Sequence, residues 1–314
     1  MILIAGGTGF IGKALIRRLV EHDYPVRVLI RPSPHSPPLP IGLPVEVALS
    51  SLEDERGLSA AMSGVDILYH LISAEWRGAQ ANLLQVDILG TQALVRSALE
   101  AGVKRIIFLS HLGADRASAF PLLKAKAIAE SHIRRSGLDY TILRSGIVFG
   151  ADDHFTTGLA RLFYAFPFLF FVPGDGKNLL QPLWVEDLAT CLTWAIDNTA
   201  TLNQTLSIGG PEFLTFNIIL QEVMSILHVR KLFSYIHPPY LRWLTVLMEL
   251  IFPNLPISVY WLDYLAANRT CSLDTIPRIF NLIPSRFGQR LEYLKTQNWE
   301  SALFKSIFRR RSFS

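Results

Sequence analysis

Ile2-Leu3-Ile4-Ala5-Gly6-Gly7-Thr8-Gly9-Phe10-Ile11-Gly12-Lys13 is the stretch that decides how this chain folds. Its four leading apolar residues read as a buried strand. From 12 to 22 the pattern is helical, with Leu15 and Leu19 one turn apart on the inner face. The glycines between them suit a tight strand-to-helix turn. Gly6 permits the turn, Gly9 lets the backbone approach a ligand, and Gly12 lets helix and strand pack closely. Free amides at the helix N-terminus, reinforced by the helix dipole, favour an anion there. With a second strand following, the pattern predicts a dinucleotide site whose diphosphate lies on Gly6, Thr8, Gly9, Phe10, Ile11 and Gly12.

Outward from that turn, apolar runs at 26–31, 45–49, 67–72, 105–110 and 140–144 read as further strands, with helical patterns at 91–101 and 122–135. This alternation predicts an α/β fold, a doubly wound parallel sheet of the Rossmann type. The proline-rich stretch 32–38 reads as a surface loop. Beyond Gly150 strand signals thin out. The best is 204–209, and helical stretches occupy 215–227 and 239–252. Pro253, Pro256, Pro277 and Pro284 then punctuate a helical C-terminal region, and no internal repeat is present. The expected organisation is a dinucleotide-binding domain over 1–150, a mostly helical substrate-side region over 151–302 interleaved with it, and a basic tail over 303–314.

Composition removes several function classes. The 314 residues carry 30 Lys and Arg against 26 Asp and Glu, a net charge of +4. Lys305, Arg309, Arg310 and Arg311 alone would supply it, so no broad nucleic-acid surface is expected. The 2 cysteines, Cys191 and Cys271, have neither metal-ligand nor redox-motif spacing. No metal site is expected, and a reducing cytoplasm is the default compartment. Half of the residues are hydrophobic and mean hydropathy is positive, which excludes disorder for most of the chain. The charge-free runs 162–174 and 250–262 contain proline and fall short of the roughly 18 apolar residues of a spanning helix. The opening residues lack a basic leader, so neither a signal peptide nor a membrane span is expected.

Further motifs carry a resemblance. Besides the glycine turn there are Gly90-Thr91 opening a helix, Ala101-Gly102-Val103-Lys104-Arg105 before a strand, and Leu138-Asp139-Tyr140-Thr141-Ile142-Leu143-Arg144. Val148-Phe149-Gly150, the run from Gln181 to Ala189, and Gly209-Gly210-Pro211-Glu212 follow, then Asn268, Phe280, Pro284, Phe287, Leu291 and Tyr293-Leu294. Together these resemble the short-chain dehydrogenase/reductase superfamily in its extended and atypical branches. The resemblance covers nearly the whole chain and is greatest to the group that includes the dehydrogenase-like accessory subunit of respiratory complex I.

The resemblance implies a nicotinamide dinucleotide. Sites selective for NAD usually place Asp or Glu at the end of the second strand, to bind the ribose 2′-hydroxyl. Here that strand ends in Ile30-Arg31, and a guanidinium suits a 2′-phosphate, so NADP(H) is expected rather than NAD. Ser51-Leu52 stands where the family commonly has Asp-Leu against the adenine. Leu71 and Lys126 complete the expected cofactor set. Active members use a tyrosine, a lysine four residues later and a serine at a strand end, the tyrosine passing a proton while hydride moves. Aligning Lys126 with that lysine puts Leu122 at the tyrosine position, and aligning Lys124 puts Phe120 there; neither carries a hydroxyl. Lys126 and Ser110 remain as catalytic candidates, with His111 as an alternative acid.

Asp187 is expected to cap a helix rather than to act with Glu186. The aromatic stretch 163–171 is expected either to line a lipophilic substrate pocket or to pack as core. In the tail, Leu303, Phe304, Ile307 and Phe308 recur at helical spacing before Arg309-Arg310-Arg311 and Phe313. That pattern suits either an anionic membrane surface contacted through 303–313 or packing on the body. Two functions follow. One is an oxidoreductase or isomerase acting on an apolar small molecule. The other is a non-catalytic dinucleotide-binding scaffold or assembly protein docking on a membrane complex, peripheral to the membrane.

Overall fold

The computed structural model describes residues 1–33, 39–166, 168–251, 258–299 and 301. Strand β1 (Ile2–Ala5) is buried throughout, and helix α1 (Phe10–Glu21) returns along the sheet on Ala14, Leu15, Ile16 and Leu19. β2 (Val26–Ile30), β3 (Val45–Leu49), α2 (Glu55–Met62), β4 (Ile67–His70), α3 (Gly90–Glu100), β5 (Arg105–His111), α4 (Pro121–Arg134) and β6 (Asp139–Ser145) follow in alternation. The seventh strand, β7 (Gln204–Ile208), comes from the second half of the chain and pairs with β6. All pairings are parallel, in the order β7-β6-β5-β4-β1-β2-β3. Strand order reverses between β1 and β4, and the crevice outside the carboxyl ends of strands at such a switch point is where ligands bind.

Side chains alternate across the sheet, so each strand feeds two cores. Ile4, Val28, Tyr69, Ile107 and Leu143 meet α1 and α6 (Val185–Trp194) on one face. Leu3, Leu29, Leu68, Phe108 and Ile142 meet α2, α3 and α4 on the other. A third core belongs to the second half. There Phe149, Phe163, Phe170, Phe216, Phe287 and Trp299 pack among α5 (Thr156–Ala165), α7 (Phe216–Leu227) and the residues before 300. Helices α8 (Pro238–Ile251), α9 (Val259–Leu265) and α10 (Thr275–Phe280) complete the chain.

Three features differ from the sequence reading. β4 stops at His70 because the next residues leave the sheet and pass beneath the glycine turn. β5 runs on to His111, whose neighbours still pair with β6. Leu169–Pro173 and Leu232–Ile236 form a parallel strand pair inside the apolar half. A continuous apolar run has no period, so the sequence could not tell strand from buried helix there. Residues 34–38 of the proline-rich loop, Pro253, Pro256 and the tail lie outside the described residues. Among the described residues no helix is long and apolar enough to cross a membrane, and no group of His, Cys, Asp and Glu could hold a metal. Both cysteines are free thiols.

Candidate dinucleotide site

The glycine turn has three differently built positions. Gly6 has φ +97°, and a Cβ there would lie 2.9 Å from the Leu71 carbonyl carbon. Leu71 donates its amide to the Ala5 carbonyl at 2.8 Å, so it forms the floor on which the turn rests. A Cβ on Gly12 would run into the Gly6 carbonyl oxygen and the Gly7 backbone. Gly9 differs: its φ is −74°, and a Cβ would touch only the Gly6 oxygen, at 3.3 Å. The chain is therefore tight beneath Gly9 and open above it. Gly9 is the N-cap of α1, with no side-chain cap and no acidic residue in the first turn. Among the described residues its orphan amides thus meet no side-chain cap and no first-turn carboxylate, and the cradle fits a diphosphate. Phe10 and Ile11 pack with Ala14, Val185 and Ala189, so their side chains anchor the helix start against α6. Thr8 is half-buried in the turn itself.

The adenosine side is sparer. Arg31 is exposed immediately after β2. Ser51 Oγ accepts from the Glu53 amide at 3.3 Å, and Leu52 lies over Gly90 at the start of α3, closing the floor beside β3.

The positions matching the catalytic residues are engaged elsewhere. Lys126, on α4, has its Nζ 3.1 Å from Asp87 Oδ1, both side chains buried, and 5.4 Å from the Phe108 ring. The other Asp87 oxygen accepts from the Ala74 amide at 3.0 Å. Next to them Thr91 donates its hydroxyl hydrogen to the Asp87 carbonyl at 2.6 Å, so His70 must donate from Nε2 to the Thr91 oxygen at 2.8 Å. Burial, with the Lys126 charge second, pushes the His70 imidazole down to about 3, which keeps it neutral. Ser110 donates to Glu130 Oε1 at 2.7 Å. Glu130 is wholly buried and also accepts from Arg144 Nε at 2.9 Å and Arg134 Nη1 at 3.0 Å. Leu122, where the resemblance places the tyrosine, packs with Val259 and Tyr260 from α9.

Ser110 and His111 alternate across β5, so they do not converge on one point. His111 instead meets Glu75, from the loop after β4, with Nε2 2.6 Å from Oε2. Desolvation pushes the Glu75 carboxyl up. The His111 charge and hydrogen bond outweigh it, helped by Lys126 and His154, and bring it down to about 2. An ionised Glu75 can only accept, so His111 donates from Nε2. That leaves His111 Nδ1 with no hydrogen-bond partner among the described residues. Tyr264 of α9 stands edge-on to the imidazole with ring centroids 6.3 Å apart. Arg269 stacks on both Tyr264 and Phe120.

Sequence reasoning did not single out Glu75, Asp87, Glu130, Tyr264 or Arg269. Glu130 closes the Lys126-Ala127-Ile128-Ala129-Glu130 stretch whose context aligns Lys126, the other four sit in no spaced motif, and a charged residue inside an apolar helical pattern, as at Asp87, was the further signal available. Asp187 is not the helix cap it was expected to be. It lies inside the first turn of α6 and accepts the Ser285 amide at 2.6 Å, tying the C-terminal region to the sheet. Glu186 pairs separately with Arg17 at 3.1 Å. The 163–171 stretch divides. Phe163 and Phe170 are core, and Phe170 together with Phe166 and Phe171 lines an apolar cavity of about 230 Å³. Trp261, Leu262 and Leu265 of α9 line the same cavity while Tyr264 faces His111, so α9 separates the cavity from the mouth of the site.

Comparison with known proteins agrees with this geometry. Residues 6–161 match the family described as NAD(P)H-binding. The chain is 29% identical over 169 residues to the rat mitochondrial NADH dehydrogenase [ubiquinone] 1 alpha subcomplex subunit 9, a match covering 53% of this chain and 44% of that one. It is 29% identical over 143 residues to the photosystem II assembly factor Ycf39 of Cyanophora paradoxa, covering 46% and 44%. The matched stretch thus spans about half the length of these relatives. Among solved structures, the Escherichia coli NADPH-dependent quinone oxidoreductase QOR2 with NADPH superposes with a TM-score of 0.73 at 18% identity, covering 94% of this chain and 100% of that one. That likeness concerns the fold.

Proposed function

Because the chain belongs to the NAD(P)-binding, Rossmann-like family, in its atypical short-chain dehydrogenase/reductase branch, we propose that it is an NADP(H)-binding accessory or assembly protein of a membrane complex. The dinucleotide in this reading stabilises the fold by mass action. The observation that carries it is the disposition of the triad positions: Leu122 is sealed under α9, Ser110 is bonded to Glu130, and Lys126 is paired with Asp87. Relatives of this chain include a respiratory-complex subunit and a photosystem assembly factor, which supports a protein partner of the same kind. Residues 1–150 would carry the cofactor and 151–302 the docking surfaces, with the protein peripheral to a membrane on its cytoplasmic side. The preference for NADP(H) is supported by Arg31 after β2 and the lack of a carboxylate in Ile30-Arg31.

A second reading is favoured by the His111–Glu75 pair. Bound NADP(H) would supply hydride exchange at its nicotinamide. The chain would supply proton transfer at His111 Nδ1, with Glu75 fixing the tautomer and orientation of the ring. An apolar carbonyl, quinone or enone is the substrate class for that chemistry.

One experiment separates the two. Purified protein is loaded with NADPH, and its absorbance is followed with a carbonyl, quinone and enone panel, alongside His111→Asn. Retention of NADPH with no turnover supports the accessory role. Turnover that the variant loses while keeping its NADPH affinity establishes the oxidoreductase. Failure to bind either dinucleotide would overturn both.

A further inference from the structure

Helix α8 is inside out. Its only charged side chains point inward or sideways into partners, and one whole stripe of its apolar side chains points to solvent. Glu249 is buried and accepts the amides of Ala79 at 2.8 Å and Val259 at 3.0 Å. Arg242 is held by Asp263 through two hydrogen bonds, at 2.9 Å and 3.2 Å. Meanwhile Tyr240 is 73% exposed, Trp243 69%, Leu250 61% and Ile251 57%, with Leu244 and Leu247 also exposed between them. These positions recur at helical spacing and form one continuous stripe. Leu232 and Tyr235, on the strand leading into α8, and Phe168, whose carbonyl accepts the Leu232 amide, extend the exposed apolar surface beyond the helix. A lone exposed leucine needs no explanation; a contiguous patch of this composition does.

We propose that α8 and the strand before it form a membrane-docking face that lies in the interface of an anionic lipid bilayer. Three observations select lipid as the occupant. Trp243 and Tyr240 stand beside aliphatic residues on one face, and amphipathic rings of this kind settle at headgroup level. Within residues 228–251 Glu249 is buried, Arg242 is neutralised by Asp263 and Lys231 is half-buried, so the exposed ionic side chain of the segment is Arg230. The charge exposed around the patch is therefore of the sign that anionic headgroups attract. Finally, the inner side of α8 lines the apolar cavity of about 230 Å³ through Leu241, Leu244, Thr245 and Met248. Leu244 belongs to both the cavity wall and the exposed stripe, so apolar surface continues from outside to inside. An acyl chain satisfies the stripe and the cavity together. The inference does not rest on the accessory reading: it holds whether or not the dinucleotide turns over.

The test floats the full chain, loaded with NADPH, on vesicles of phosphatidylcholine containing phosphatidylglycerol and on vesicles of phosphatidylcholine alone. Binding is expected on the anionic vesicles. It is expected to weaken at least about tenfold in Trp243→Ser/Leu247→Ser/Leu250→Ser. The control Ile41→Ser, at a site 98% exposed on another part of the surface, is expected to bind as the parent does. NADPH affinity and thermal melting report that each variant is folded. If the triple variant does not fold, brominated lipid provides the second readout: it quenches the parent's tryptophan fluorescence, and Trp243→Phe removes part of that quenching. A chain ending at Ser301 is expected to float like the parent. Several outcomes overturn the proposal: no flotation, equal flotation of parent and triple variant, equal binding to both vesicle types, or loss of binding only when the tail is removed. A concentration-dependent dimer abolished by the triple variant, with no vesicle binding, would reassign the face to a second copy of the chain.

Discussion

At the scale of single residues, Arg31 and His70 make the most direct predictions. A guanidinium on a 2′-phosphate forms charge-assisted hydrogen bonds worth roughly 1.5–3 kcal/mol. Arg31→Ala is therefore expected to weaken NADPH binding by roughly 10- to 100-fold, and to leave NADH binding nearly unchanged, as measured by calorimetric titration. Equal losses for both dinucleotides would remove Arg31 from selectivity. His70 governs acid stability. Burial, with Lys126 behind it, lowers its folded value to about 3 from the ordinary 6.5, so the unfolded chain takes up a proton that the folded chain refuses. Stability is then full above about 6.5 and falls as pH drops towards 3, by roughly 2 kcal/mol between pH 7 and pH 5. Asp153 acts in the opposite sense. Its desolvated carboxyl, which accepts from Thr156, Thr157 and Gly150, is raised to about 6, so its contribution is full below about 3.8 and is lost as pH rises through 6. His70→Gln keeps a donor towards Thr91 but cannot be charged. Urea midpoints from pH 7 to pH 5 are expected to fall less in this variant than in the parent, and an unchanged slope would mean that another group controls acid lability.

At the scale of elements, the glycine turn separates folding from binding within one motif. A Cβ on Gly12 has nowhere to go but into the carbonyl of Gly6, whereas one on Gly9 meets little and its φ suits any residue. Gly12→Ala is thus expected to destabilise the protein by roughly 1–3 kcal/mol through overpacking. Gly9→Val is expected to melt near the parent temperature yet lose NADPH affinity at least about tenfold, because its side chain occupies the space a diphosphate needs. Thermal melts of both, paired with titrations, check this division; a folded Gly12→Ala with parental stability would contradict the packing. The same distinction applies to the later family landmarks, which hold elements together. Gln181 receives the Cys271 amide at 2.7 Å and donates to the Gly210 carbonyl at 2.8 Å, and Glu212 accepts from Phe287 at 2.8 Å. They fasten the loops after β6 and β7 to the C-terminal region.

At the scale of the molecule, the dinucleotide would bridge elements from both sides of the switch point, and its affinity would appear as stability. A ligand present at about 100 times its Kd adds roughly 2.7 kcal/mol to the folded state. For a protein of this size that raises Tm by roughly 4 °C. NADPH is expected to produce such a shift, and NADH a smaller one at equal concentration, in a thermal melt monitored by circular dichroism. The larger shift with NADH would reverse the assigned selectivity. Docking and the site are also joined mechanically. Glu249 of α8 holds the Ala79 amide, in the Glu75–Gln80 turn that carries the carboxylate paired with His111.

The sequence by itself determined the sheet, the glycine cradle and the missing tyrosine, because each is a local matter. A strand's apolar run, a glycine spacing of three and a leucine four residues before Lys126 are all read within a dozen residues of chain. Only the tertiary structure decided what the polar side chains do. Glu75 meets His111 across 36 residues, Lys126 meets Asp87, and Ser110 meets Glu130, pairings set by strand order and by which face of α4 docks on the sheet. The same holds for α8. Its sequence is apolar nearly all round, and such a helix can be buried on either side. The partners of Arg242 and Glu249 fix its rotation, and that rotation turns Tyr240, Trp243 and Leu250 outward.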